Sequence, residues 1–102
     1  MNVAGGVNID GPDSDLGVCV AIVSSIRDMA VSRKYAFVGE VGLSGEIRFV
    51  GNIQKRIIEC QKMGFEKVFI PRSAMKGIDK CNGVIGCSTL VEVFKQIFKK
   101  EN

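Results

Sequence analysis

The stretch GEVGLSGEIRFVGNIQKRIIECQKMGFEKVFIP, Gly39 to Pro71, changes its hydrophobic period twice, and those changes set the fold class. It is entered by a β-type run, Tyr35 to Val41. The glycine-rich Gly42-Leu43-Ser44-Gly45 then separates that run from a second alternating segment, Glu46 to Val50, so a hairpin is expected. From about Asn52 the pattern becomes helical. Ile53, Ile57 and Cys60 form the inward stripe, Lys55, Arg56, Glu59 and Lys62 face solvent, and Gly64 supplies the stop. Lys67 to Ile70 reads as a short strand ended by Pro71. Hairpin, amphipathic helix and strand in succession indicate an α/β chain.

Working outward, Asn2 to Ile9 reads as a strand with Val3, Val7 and Ile9 on one face. Gly11-Pro12-Asp13 is a turn that opens a helix from about Asp13 to Met29. The Leu16 to Val23 segment of that helix is apolar on nearly all sides, which predicts a central, buried element. On the other side, Arg72 to Ile78 has room for one or two helical turns, and Gly83 to Cys87 is another short strand. Thr89 and Glu92 have capping-box spacing and open a last helix with Leu90, Phe94 and Ile97 on its buried face. The expected order is strand, helix, hairpin, helix, strand, strand, helix, in one domain over residues 1–102. The fold class is α/β (α+β), a mixed sheet packed with three main helices.

Composition narrows the chemistry. A 102-residue chain with 46% hydrophobic residues and mean hydropathy +0.19 suits a single globular core. Val18 to Val23 is the longest apolar run, far short of the ~20 residues a membrane span needs. With no signal peptide at its start, a soluble, cytoplasmic protein is expected. The sequence holds no histidine, and Cys19, Cys60, Cys81 and Cys87 show no ligand spacing, so reduced thiols are expected in place of a metal site. Without histidine, Ser-His and Cys-His catalysis are excluded and only pairs such as Ser-Lys stay open. Gly42, Gly45 and Gly51 lack the Lys-Ser/Thr ending of a phosphate loop and read as turn glycines. Asp13 and Asp15 read as helix-capping acids before metal ligands, for want of a third oxygen ligand nearby.

Charge is unevenly placed. Residues 1–32 carry Asp10, Asp13, Asp15 and Asp28 against Arg27, a balance of −3; with a whole-chain net charge of +3, the remainder carries +6. Such asymmetry suggests a side that faces a polyanion. Arg33, Lys34, Arg48, Lys55, Arg56, Arg72 and Lys76 fall on loop, hairpin or polar-helix positions from which a side chain reaches a phosphate. No aromatic platform accompanies them, and Tyr35 is the only tyrosine, which favours tracking of a duplex backbone over base stacking.

The Gly39–Pro71 stretch resembles the corresponding part of Lon-family proteolytic domains, where a glycine-rich hairpin, a helix and a strand ending in proline follow one another. DGPDSDLGVCVAIVSSI, Asp10 to Ile26, resembles the Lon turn that presents the catalytic serine at the head of a buried helix. The resemblance implies a Lon proteolytic-domain-like fold. It also places Asp13 at the serine nucleophile's position and Gln54 at that of the lysine base, which sits in a GGLKEK-like motif. No catalytic residue is therefore carried over. Ser14 and Lys55 each lie one residue downstream and form the alternative, a rearranged Ser-Lys peptidase. A one-residue helical step turns a side chain by about 100°, which opposes that pairing.

Within the Lon-like group, Asp13, Asp15 and Arg48 make the chain most similar to the RadA branch. That resemblance implies a fragment of a longer DNA repair and recombination ATPase, a homohexameric ring in which the Lon-like domain supports assembly and contacts DNA. Zinc and ATP would belong to domains outside these residues, leaving this domain with no cofactor and no membrane partner.

Overall fold

The computed structural model describes residues 15–48, 51–77 and 83–98. The strand expected at Asn2 to Ile9, and the turn holding Asp13 and Ser14, lie outside the described residues. In chain order the elements are α1 (Asp15–Arg27), β1 (Tyr35–Phe37), β2 (Glu40–Val41), β3 (Ile47–Arg48), α2 (Ile53–Lys62), β4 (Lys67–Pro71), a 3-10 helix (Arg72–Gly77), β5 (Val84–Cys87) and α3 (Leu90–Ile97).

Three strands form a parallel sheet in the order β1-β4-β5, with Ala36 opposite Val68 and Phe69 opposite Ile85. Side chains alternate across it with period two. Val68 and Ile70 join Ala36, Val38, Ile53, Ile57 and Ala74 in a core under α2. Phe69 and Cys87 join Leu16, Val20, Ala21, Val93 and Phe98 in a second core under α1 and α3. The result is a sheet covered by helices on both faces, as parallel sheets require. Phe69 anchors the second core: it is 1% exposed, stacks on Phe37 with centroids 5.2 Å apart, and meets Tyr35 edge-on at 5.7 Å.

The expected hairpin forms, but with different strands. Tyr35 to Val41 is not one strand: it breaks after Phe37, where β1 ends its pairing with β4, and only Glu40–Val41 pairs antiparallel with Ile47–Arg48. Parallel and antiparallel strands are thus both present, in two separate sheets. The break lies next to Gly39, which is buried and where a Cβ would come within 2.9 Å of Ile47 Cγ2. The hairpin docks on the head of α3, where Ile47 N–H donates to Ser88 O at 2.8 Å and Leu90 N–H donates to Gly45 O at 2.9 Å. Of the three turn glycines, Gly45 takes a positive φ of 80°; the positive φ beside Gly51 falls instead on Asn52, at 58°.

Helix α1 departs from expectation. Leu16, Gly17, Val20, Ala21 and Ser24 are buried, yet Ile22 is 53% and Ile26 78% exposed. Periodicity could not orient a helix apolar on nearly all sides, and tertiary packing covers one face only. The helix ends by a left-handed residue, Asp28 with φ 53°. Met29 N–H reaches Ser24 O at 3.0 Å and Asp28 N–H reaches Ser25 O at 3.3 Å. These are the two bonds of a Schellman stop in which Asp28 takes the usual glycine position. The Ser24 hydroxyl, which is buried, donates to Met29 O.

In α3 the centre of the buried face is Val93, with Phe98 just beyond the helix. Leu90, Phe94 and Ile97 are the half-buried rim around that core. The stripe is displaced because apolar residues occupy so many positions of this short helix. The cap is half of a capping box. The Thr89 side chain accepts from Glu92 N–H at 3.3 Å, but the Glu92 carboxylate accepts from Ser88 N–H at 3.2 Å in place of Thr89 N–H. Strand β4 runs one residue further than expected, through Pro71, which lies opposite Cys87 at the strand's last position.

One consequence of the topology governs the surface. The three parallel strands all start at one end of the sheet, which is also where α2 finishes before β4. Helix α1 starts at the other end, where Leu16 N–H donates to Gly39 O at 3.1 Å, and so it finishes at the strand-start end. Arg27, its last residue, lies over the Phe94 and Phe98 rings near the end of α3.

Candidate functional site

Gln54 lies in the first turn of α2 and is half-buried, while Lys55 beside it is exposed. The turn that leads into this helix depends on Asn52, whose left-handed backbone precedes the first helical residue and whose side chain makes no capping bond. Two cations, Lys55 and Arg56, follow in the first turn, and that turn carries no acid. Arg56 is half-buried, where a fully solvent-facing position was expected. Asp13 and Ser14 fall outside the described residues.

The seven basic residues read from sequence do not form one patch. Arg33 and Lys34 stand immediately before β1, at the strand-start end of the sheet. Arg72 follows β4 directly, and Lys76 lies further along the 3-10 helix at the opposite end. Arg48 belongs to the hairpin docked on the head of α3, and Lys55 and Arg56 to the head of α2.

Several of them have intramolecular partners. Arg48 pairs with Glu46 at 3.0 Å, and Arg72 pairs with Glu92 and reaches Gly86 O at 3.5 Å. Lys34 pairs with Glu66 at 3.3 Å, with both side chains more than 60% exposed. Glu46 is the most organised of the acids. Hydrogen bonding to backbone N–H groups, its own first and that of Ser44 as well, together with the Arg48 guanidinium, holds its carboxyl below the ordinary value.

Of the cations outside the set read from sequence, Lys67 and Lys62 stand at the strand-start end. Lys67 opens β4 opposite Tyr35, and its ammonium lies 5.3 Å from the centre of that ring. Lys62 ends α2 and is exposed. The parallel register brings Lys67 beside Lys34, whose carbonyl accepts from Glu66 N–H at 2.7 Å and Lys67 N–H at 3.2 Å. The available signal was the βαβ pattern, because strands that run parallel bring their first residues to a common end.

Among the described residues, no group of three His, Cys, Asp or Glu side chains could hold a metal ion. No helix among them is long and apolar enough to cross a membrane. Burial pushes the Cys87 thiol up, with Glu92 adding to the shift, and burial followed by Asp15 does the same at Cys19.

Residues 2–98 match the family described as the Lon protease (S16) C-terminal proteolytic domain. The chain belongs to this family. As a member of the Lon C-terminal domain family, it is similar over nearly its whole length to DNA repair proteins named RadA. It is 48% identical over 100 residues to that of Streptococcus pyogenes serotype M3, covering 96% of this chain and 22% of the relative. Identity is 41% over 98 residues with the Listeria monocytogenes protein, covering 94% of this chain and 21% of the relative. For Bacillus subtilis the values are 40% over 97 residues, 93% and 21%. The chain thus spans about a fifth of the length of the curated relatives it matches.

Proposed function

We propose that this chain is a non-proteolytic Lon-like module of a RadA-type DNA repair and recombination ATPase, acting in the cytoplasm. In this reading it contributes phosphate-backbone contacts to DNA and contacts to further copies in a hexameric ring. The module itself needs no metal or cofactor, since zinc and ATP are used elsewhere in the parent. Similarity to proteins named for DNA repair supports the setting.

The observation that carries the non-proteolytic part is Gln54 in the first turn of α2. A serine becomes a nucleophile only when a nearby base takes its proton, and an amide nitrogen has no lone pair available for that. Lys55 is exposed, one helical step of about 100° from Gln54. Treatment with a serine-reactive fluorophosphonate probe tests this: no labelling is expected, and covalent modification of Ser14 would restore the rearranged-dyad peptidase.

For DNA, anisotropy of a fluorescent duplex measured across a salt series is expected to give affinity that falls as salt rises, the mark of counterion release. An affinity indifferent to salt, or no binding at low salt, would refute it. Ring assembly is supported by the apolar side chains Ile22 and Ile26 that α1 leaves exposed. Sedimentation showing only monomer at high concentration would count against a self-sufficient ring contact.

A further inference from the structure

The geometry points to the strand-start end of the parallel sheet, where Arg33, Lys34, Lys67 and Lys62 gather, as the surface that follows a duplex phosphate backbone. This inference rests on the DNA reading above and assigns it to one end of the molecule.

The residues come from three separate segments: the loop before β1, the first position of β4 and the last turn of α2. Main-chain bonds from Glu66 and Lys67 to Lys34 O fix two of these segments together. All four basic residues are exposed. Point charges at the rim of a rigid sheet suit an extended polyanion, whose charges also recur along a line. Arg33 has no ion-pair partner among the described residues. Among those residues Lys34 has only Glu66, in a pair so exposed that it contributes little and yields readily to a phosphate.

The opposite end is less available. Arg48 and Arg72 are also exposed, but each pairs with a carboxylate fixed by a main-chain N–H, that of Ser44 for Glu46 and that of Ser88 for Glu92. Glu40, Glu46, Glu92 and Asp15 also stand at that end, the last in the first turn of α1. The head of α2, with Lys55 exposed and Arg56 half-buried, and Lys76 on the 3-10 helix stand at that end as well. A basic residue in the last turn of a helix also answers the helix dipole, which accounts for Lys62 in part. It does not account for Arg33 or Lys67, which belong to no helix.

The test uses the 102-residue chain and a fluorescent DNA duplex across a salt series, with Arg33→Gln/Lys67→Gln and Lys55→Gln/Lys76→Gln as paired double variants. Far-ultraviolet circular dichroism and thermal melting check that each remains folded. The first variant is expected to bind roughly tenfold more weakly at low salt, and its log-log salt slope to fall by about 0.9 for each phosphate no longer neutralised. The second is expected to stay within about twofold of the parent, on the ground that its side chains touch no phosphate. If the second variant loses affinity as much as the first, or more, the assignment to this end is overturned while DNA binding stands. If the parent chain itself shows no salt-sensitive binding, both the assignment and the DNA reading fall.

Discussion

Arg72 and Glu92 form an ion pair that ties the 3-10 helix after β4 to the first turn of α3. Glu92 serves a second purpose, since its other carboxylate oxygen accepts from Ser88 N–H at 3.2 Å. Removing it therefore leaves an end-of-strand amide without its partner as well as breaking the pair. Glu92→Ala is expected to cost about 1 kcal/mol in urea unfolding. Lys34→Ala, which breaks only the exposed pair with Glu66, should change stability by less than about 0.5 kcal/mol. Equal losses in the two variants would mean that the bond to Ser88 contributes nothing.

Phe69 lies at the centre of the larger core, 1% exposed and in ring contact with Tyr35 and Phe37. Phe69→Ala should lower stability by about 3–5 kcal/mol, combining the loss of burial with an unfilled cavity. Replacing Ile26, 78% exposed, with alanine should move the urea midpoint hardly at all.

At the end of α1, Asp28 adopts a left-handed backbone that glycine enters without steric cost. Asp28→Gly is expected to raise stability by about 1 kcal/mol. A drop in melting temperature would show that the Asp28 side chain contributes more than its backbone strain costs.

Glu46 gives the fold a dependence on acid. Its carboxyl is held below its ordinary value of 4.5, so the folded state binds the proton less readily than the unfolded chain. The stabilisation is complete above the unfolded value and is lost as pH falls through the folded one. The stability difference between the parent and Glu46→Gln should shrink as pH is lowered from about 6 to about 3. A difference that stays constant over that range would assign the effect of the substitution to something other than ionisation.

Much of the fold was legible in local pattern. The helical spacing of Ile53 and Ile57, the stop at Gly64 with its φ of 93°, and the Thr89 cap each depend on neighbours within a few residues. Only the resemblance to the Lon motif, by chain position, sets Asp13 and Gln54 at its catalytic positions, and the non-proteolytic proposal rests on that placement. Two things lay beyond local pattern. A helix as apolar as α1 has no polar face to mark which side is buried, and packing on one face alone left Ile22 and Ile26 exposed. Pairing decided the other: β1 takes β4 as its parallel neighbour, so Lys67, far along the chain, lies beside Lys34 while Arg48 and Arg72 are carried to the opposite end. The sequence by itself therefore determined which residues bear charge, where α2 stops and where α3 is capped. Only the tertiary structure decided which charges share a surface and which are held by carboxylates, because both depend on pairing between segments distant in the chain.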